Sequence, residues 1–237
     1  MEEKVKGIVL GGTAFLENDK ILNIFTLEQG VISAKIKGVK KAGAKLKFAS
    51  EPFCFAEFLF SKKGELRTVT GASLIDSFYP IREDIVKYFC GGTVVEFVKK
   101  FFRENEETSS AFFLTANALK EISYDDKNPK ETLIKFLFYA LKESGYGLYA
   151  EDCAKCNCGI KGRVFFDYRR GAFFCEKCFD GEGREINLST FKGLNEVLMG
   201  NSVDDEIRTK ILRLLAFYIE NRAEEKINSL VELTKNL

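Results

Sequence analysis

The sequence contains no histidine, and this absence removes a large part of ordinary enzyme chemistry. Without an imidazole there is no Ser–His or Cys–His nucleophile pair and no imidazole acid or base. The chain also lacks the phosphate loop G-x-x-x-x-G-K-[ST] and the dinucleotide motif G-x-G-x-x-G, and the pair Gly11-Gly12 is too isolated to stand for either. Carboxylates are plentiful but scattered, so spacing alone leaves a carboxylate-based metal nuclease open. We expect a protein that is not an enzyme.

No apolar run approaches the length of a membrane span, and the acidic start Met1-Glu2-Glu3 is not followed by the apolar segment of a signal peptide. The seven cysteines then favour a reducing, cytoplasmic location. A hydrophobic content of 46% with 30% charged residues is typical of a globular protein. The net charge of +1 neither demands nor excludes a nucleic-acid partner, so the distribution of charge has to decide.

The most specific motif is a pair of C-x-x-C turns, Cys153 with Cys156 and Cys175 with Cys178, separated by eighteen residues. Each turn supplies two thiolates, and Zn²⁺ prefers four soft ligands such as these, arranged in a tetrahedron. These four cysteines are therefore the predicted metal ligands. Cys158 is a fifth candidate that could replace a member of the first pair.

The metal is expected to be structural, because a catalytic zinc keeps an open position and usually has histidine or carboxylate ligands. The intervening GRVFFDYRRGAFF predicts two short strands around Arg169-Arg170-Gly171, as in a zinc ribbon inserted at about residues 150–183. A disulfide pair and buried thiols without metal are the alternatives. The arginines of this hairpin either contact phosphate or form a solvated tip.

The first 79 residues are rich in short, glycine-punctuated strands. The candidate strands are GIVLGG, ILNIFTL, GVISAKI, FCFAEFLF and, after a turn at Lys63-Gly64, LRTVTGASL. Five such strands fit a small closed barrel of the oligonucleotide-binding (OB) kind, although an SH3-like barrel would give a similar pattern.

Basic residues are concentrated between Lys35, near the end of the third strand, and Lys47, with no acidic residue among them. The candidate nucleic-acid ligands are Lys35, Lys37, Lys40, Lys41, Lys45 and Lys47. Glycines at Gly38 and Gly43 suggest a mobile hairpin carrying these ammonium groups, which would displace counterions from a nucleic-acid backbone. The alternative is a solvated sheet edge whose lysines prevent aggregation with another strand. Five nearby aromatics either stack on bases or, more often, pack in a core: Phe48, Phe53, Phe55, Phe58 and Phe60.

After Pro80 the apolar period changes from two to about 3.6, which predicts a helical domain over residues 80–237. A first helix runs from Ile81 to Phe102, and Gly91-Gly92 within it predicts either a kink or another backbone packed close against it. A second helix follows Thr108, a third begins at the Asn128-Pro129 cap, and a fourth ends near Gly200. A final helix capped by Ser202 or Asp204 extends to Leu233. The predicted fold class is α+β: an N-terminal OB-fold β-barrel, then an all-α domain with the inserted zinc ribbon.

The first third resembles the N-terminal domain of the RecO family of recombination mediators. The residues that carry the likeness are GIVLGG, Glu17-Asn18-Asp19, Phe25-Thr26 with Gly30, AKIKGVKK leading into EPFCFAEF, and LIDSFYPIREDIVKY. Further along, LIKFLFYALKESGYGLYAEDCAKC is also similar, so the resemblance covers nearly the whole chain.

The resemblance implies an OB-fold whose basic face binds single- and double-stranded DNA, here at Lys37, Lys40, Lys41 and Lys45. Ala44 departs from the family, which commonly has serine there, so we expect a hydroxyl contact to phosphate to be missing. It also implies annealing of strands coated with single-stranded DNA-binding protein and, with RecR, loading of RecA, in a nucleoid-associated protein of the cytoplasm. Some relatives lack the cysteines, which fits a structural metal. The alternative function is a zinc-ribbon protein-interaction or RNA-binding scaffold.

Overall fold

Five strands at the N-terminus close into a barrel in this computed structural model, which describes residues 2–63 and 66–236. The strands are β1 (Glu2–Phe15), β2 (Asp19–Thr26), β3 (Gly30–Ile36), β4 (Phe55–Lys63) and β5 (Leu66–Asp76). Their order is β1-β2-β3-β5-β4, and β1 pairs with β4 to close the barrel. All pairs are antiparallel except β3 with β5. The predicted OB-type barrel is confirmed; the turn at Gly64 lies outside the described residues.

The barrel interior is filled by side chains that alternate along the strands, as a closed sheet requires. Phe58, Phe60, Leu22 and Ile24 are among the residues that are essentially inaccessible to solvent there. Val39, from the segment that follows β3, is also part of this core. The lysine-rich segment is therefore anchored to the barrel.

Two helices complete the first compact unit, which spans Met1–Asp125. They are α1 (Ile85–Phe101) and α2 (Ser109–Tyr124), and a short 3₁₀ turn, Tyr79–Arg82, precedes them. Phe102 and Phe112 each lie with their ring centroids 5.6 Å from that of Phe25 on β2. Aromatic contacts of this kind fix both helices against the barrel.

Glycines allow two close approaches in this unit. Gly30 has a φ of +68°, and a Cβ there would lie 2.1 Å from the carbonyl oxygen of Arg103. Gly91 lies against Ile81, where a Cβ would be 3.0 Å from the Ile81 Cγ2. Helix α1 continues through Gly91-Gly92, and the kink expected there stays a prediction. The other expected outcome, another backbone packed close against this pair, is not what surrounds Gly91, whose nearest neighbours are the side chains of Ile81 and Phe53.

The second compact unit spans Asp126–Leu237 and contains the remaining helices and a small sheet. The elements are α3 (Pro129–Glu143), β6 (Val164–Asp167), β7 (Ala172–Cys175), β8 (Arg184–Ile186), α4 (Leu188–Met199), α5 (Asp205–Arg222) and α6 (Asn228–Asn236). The predicted Asn128 cap is confirmed, since its side chain accepts a hydrogen bond from the backbone N–H of Lys130 at 3.0 Å. The predicted single C-terminal helix is wrong: α5 and α6 are separate, and Glu224 between them has a φ of +57°. The division at residues 79 and 80 stays a prediction.

Glu131 at the start of α3 holds the loop between α4 and α5. Its Oε1 accepts hydrogen bonds from the Ser202 hydroxyl at 2.7 Å, the Val203 backbone N–H at 3.0 Å and the Arg208 guanidinium at 2.7 Å. Burial raises the pKa of Glu131, but these three donors outweigh it and hold the pKa below its ordinary value. Ser202, one of the two expected helix caps, is therefore engaged with Glu131; Asp204 takes the cap position.

No helix among the described residues is both long enough and apolar enough to cross a bilayer.

Candidate nucleic-acid and metal sites

The lysine-rich segment between β3 and β4 is a chain of turns, residues 37–47, which we call the lysine loop. Successive backbone hydrogen bonds run from Lys41 N–H to Gly38, from Ala44 N–H to Lys41 and from Lys47 N–H to Ala44. A 3₁₀ turn, Phe48–Ser50, then leads toward β4. The expected hairpin is wrong, because the two halves of the loop do not pair as strands.

The loop is held to the turn between β1 and β2. The Gly38 N–H donates to Asp19 Oδ1 at 2.8 Å, and the Lys40 N–H donates to the Asn18 carbonyl at 3.1 Å. The Gly38 N–H and the Lys35 ammonium hold the pKa of Asp19 below its ordinary value, so this carboxylate stays charged. Two loops of the barrel thus form one surface.

Five of the six predicted lysines project from this surface and one does not. Lys37, Lys40, Lys41, Lys45 and Lys47 are exposed, and none forms a salt bridge within residues 2–63 and 66–236. Lys35 on β3 is mostly buried: its Nζ lies 2.9 Å from Asp19 Oδ2 and 4.5 Å from the centroid of the Phe15 ring. Lys35 therefore braces the turn instead of offering a free charge.

The aromatics divide between core and intermediate positions. Phe53, Phe58 and Phe60 are buried, which excludes them as stacking platforms in this structure. Phe55 packs edge-on against Phe112 at 5.8 Å, and Phe48 lies against the barrel core. The exposed apolar side chains beside the lysine loop are instead Phe15 and Leu16, which sequence reasoning missed. The only available signal was an apolar pair directly before Glu17-Asn18-Asp19.

In the second unit, the ribbon (residues 153–186) brings the predicted metal ligands together. Strands β6 and β7 form the expected hairpin, with Val164 paired to Cys175 and Asp167 paired to Ala172; β8 adds a third strand. The Sγ atoms of Cys153, Cys156, Cys175 and Cys178 all lie within 4.8 Å of one another.

This donor set fits a tetrahedral metal with soft ligands. Four sulfurs about 2.3 Å from one Zn²⁺ are about 3.8 Å apart in an ideal tetrahedron, and the Cys156 and Cys175 sulfurs are 3.9 Å apart. Burial raises the pKa of the Cys153 thiol, but backbone N–H groups of Cys175, Cys156 and Lys155 outweigh it and lower the pKa to about 6. A thiol that ionises near neutral pH is prepared for metal binding.

Cys158 lies beside the four sulfurs but outside the mutually close set. Its Sγ is 3.2 Å from that of Cys156, so it could compete for the metal. The thiol pKa values do not separate it from the others: hydrogen bonding to Cys156 raises the pKa of both Cys158 and Cys178 to about 12. Geometry favours the four-cysteine set without Cys158.

The ribbon arginines are paired with carboxylates. Arg163 contacts Glu185 at 2.7 Å and Glu176 at 3.0 Å. Arg170 contacts Asp180 at 2.6 Å and Asp167 at 3.1 Å. Local charge is thus compensated at these two arginines.

Together these features define a class: a protein with an OB-type barrel, a helical region and a cluster of four cysteines able to hold a metal ion. Comparison with known families is more specific. The family model described as Recombination protein O N terminal matches residues 1–78, and the one described as Recombination protein O C terminal matches residues 82–230. The chain belongs to the RecO family.

Relatives named DNA repair protein RecO match along almost their whole length. The protein from Acetivibrio thermocellus is 27% identical over 96% of this chain and 94% of its own. That from Clostridium perfringens is 28% identical over 94% of each chain. The Bacillus subtilis protein is 27% identical over 93% of this chain and 89% of its own.

Proposed function

We propose that this protein binds DNA through the lysine loop and anneals complementary single strands in recombinational repair. The observation that carries the proposal is the set of five exposed loop lysines without a salt bridge in the described part of the chain. Each phosphate bound by an ammonium group releases condensed counterions, which favours binding independently of sequence. The family and the barrel are consistent with this role.

Annealing by such a surface needs no covalent step. Two strands repel each other through their phosphates, and neutralising part of that charge while holding the strands together raises their local concentration. Base pairing then supplies the specificity. We therefore propose a non-enzymatic mediator, and the residues that act are the loop lysines.

We further propose that the protein anneals strands coated with single-stranded DNA-binding protein and, with RecR, helps load RecA in the cytoplasm. A groove of about 530 Å³ in the second unit supports a contact with the tail of the coating protein. Its lining combines apolar Leu214 and Phe217 with basic Arg184 and Arg213. Glu185 and Lys210 also line it, but each is paired with a residue of opposite charge, Arg163 and Glu206 respectively. Such a lining suits a peptide with both apolar and acidic groups.

The metal in this proposal is a structural Zn²⁺. Cys153, Cys156, Cys175 and Cys178 would hold it, and its chemistry would be limited to cross-linking the two turns of the ribbon. Because the hairpin begins a few residues after the first turn and ends at the second, this cross-link fixes the hairpin's position within the second unit.

The test is an annealing assay on complementary oligonucleotides, free and coated with the binding protein, with and without RecR. Changing Lys37, Lys40, Lys41 and Lys45 to Glu should abolish annealing and leave the fold unchanged. The matched control changes four exposed lysines outside the loop to Glu, namely Lys120, Lys127, Lys192 and Lys226. Both variants lose the same net charge, so a difference in annealing between them would have to come from the position of the lysines in the loop. Unchanged annealing by the loop variant would contradict the proposal.

A further inference from the structure

The last residue of β1 and the first residue of the turn after it expose two adjacent apolar side chains, which we call the apolar tip. Phe15 is 36% exposed and Leu16 is 71% exposed. Neither side chain belongs to the core of the barrel. Exposed apolar side chains are common, so it is the conformation and the surroundings of this pair that single it out.

Leu16 also has an unfavourable backbone conformation. Its φ of +53° lies in the left-handed region, which glycine and asparagine adopt readily and a leucine does not. A polar residue that tolerates positive φ, such as asparagine, would suit this position better in both its exposure to solvent and its backbone conformation. Strain of this kind is concentrated at binding sites, where the surrounding structure maintains it.

The apolar tip is fixed beside the lysine loop. Asn18 and Asp19, which follow the tip, accept the hydrogen bonds from Lys40 N–H and Gly38 N–H described above. An open groove of about 390 Å³ lies between the two loops, and Leu16, Lys37 and Lys41 are in its lining. A ligand in this groove would meet ammonium groups and an apolar surface together.

The charge of the groove favours a nucleic-acid strand over a protein as its occupant. Asp19 is neutralised by Lys35, so Lys37 and Lys41 outweigh the one remaining acid, Glu17. A single strand presents phosphates and unstacked base faces side by side, and the base faces bind apolar or aromatic side chains. Duplex DNA offers the phosphates but hides the base faces.

We propose that the apolar tip contacts unpaired bases of a single DNA strand whose phosphates are held by Lys37 and Lys41. This inference rests on the proposed function and adds to it a site that distinguishes single from double strands. Lys35 is a positioning residue, because its ammonium group links the Phe15 ring to Asp19.

The experiment compares the binding of oligothymidine and of a duplex of equal length by wild-type protein, Leu16→Asn and Phe15→Ala. Phe15→Ala should weaken single-strand binding roughly five- to a hundredfold, the range for loss of one aromatic contact with a base, and Leu16→Asn should weaken it in the same direction. Duplex binding should change less than about twofold, and the salt dependence of single-strand binding should stay as in wild type, because no phosphate contact is lost. Leu16→Asn should melt at or above the wild-type temperature, since asparagine tolerates the left-handed conformation.

Lys41→Gln is the matched control. It should weaken single-strand and duplex binding alike and reduce the magnitude of the single-strand salt slope by about 0.7. Equal affinity of wild type and both tip variants for oligothymidine would overturn the inference and leave the proposed function intact. An equal loss on duplex would also overturn it. Absence of salt-dependent binding by the wild-type protein would instead refute the proposed function.

A measurement on the wild-type protein keeps the inference testable should the variants fold poorly. Ultraviolet light should cross-link oligothymidine to the apolar tip. After tryptic digestion, the nucleotide should be found on the peptide of residues 7–20, which contains Phe15 and Leu16. Cross-links confined to other peptides would overturn the inference.

Discussion

Two cysteine substitutions five residues apart should have opposite effects on the metal site. Cys153 is fully buried and belongs to the mutually close set of sulfurs, whereas Cys158 is exposed and lies outside it. Cys153→Ser removes a ligand, because a serine hydroxyl stays protonated at neutral pH. Cys158→Ser removes only a neighbour. We expect zinc to be lost from the first variant and retained by the second.

The size of the effect follows from linkage between metal binding and folding. Structural zinc sites contribute about 10–16 kcal/mol of apparent binding free energy in small peptides. The stabilisation that is observed depends on free metal: at 1,000 times the dissociation constant it is about 4 kcal/mol. Since a domain is stable by only about 5–15 kcal/mol, Cys153→Ser should remove a large part of the stability of the ribbon. Cys158→Ser should cost less than about 1 kcal/mol, as for most exposed positions.

The assay combines elemental analysis with thermal unfolding in buffers of fixed free zinc. Wild type and Cys158→Ser should carry about one zinc per chain and show melting temperatures that rise with free zinc. Cys153→Ser should carry almost none and show no such rise. Loss of zinc from Cys158→Ser together with retention by Cys156→Ser would show that Cys158 is the ligand. A gently purified wild-type protein without zinc would refute the metal assignment as a whole.

Two further predictions concern charge. Glu131→Gln should destabilise the protein by about 2 kcal/mol at pH 7 in urea unfolding, because hydrogen bonds to a charged group are lost. Since the folded pKa of Glu131 is depressed, its contribution is present above the unfolded pKa of about 4.5 and is lost as pH falls through the folded value. The variant and wild type should therefore converge at low pH, and a constant difference would contradict this reasoning. For DNA, five lysine contacts predict a slope of log affinity against log salt of about −3.5, or about a hundredfold loss for a fourfold rise in salt. A protein-interaction scaffold would show no slope.

The sequence predicted the features that depend on local pattern. The glycine-punctuated strands predicted the barrel. The C-x-x-C spacing identified the four sulfurs that lie together, because a tight turn holds the sulfurs of its two cysteines close to each other. Features that depend on long-range pairing were less accessible. Lys35 looked like its neighbours on the chain, and only the pairing of β2 with β3 brings Asp19 to it. The break between α5 and α6 was missed because the apolar period continues across it.

The lysine loop concentrates positive charge in an anchored segment, and this arrangement favours an anionic ligand. Five exposed ammonium groups lie within eleven residues, and no carboxylate within the described residues compensates them by a salt bridge. Val39 and the β1–β2 turn hold the loop to the barrel. A polyanion lying across the loop would neutralise several of these charges at once, and the release of its counterions would add to the binding free energy. The anchored loop is therefore expected to favour a complex with a strand without having to reorganise.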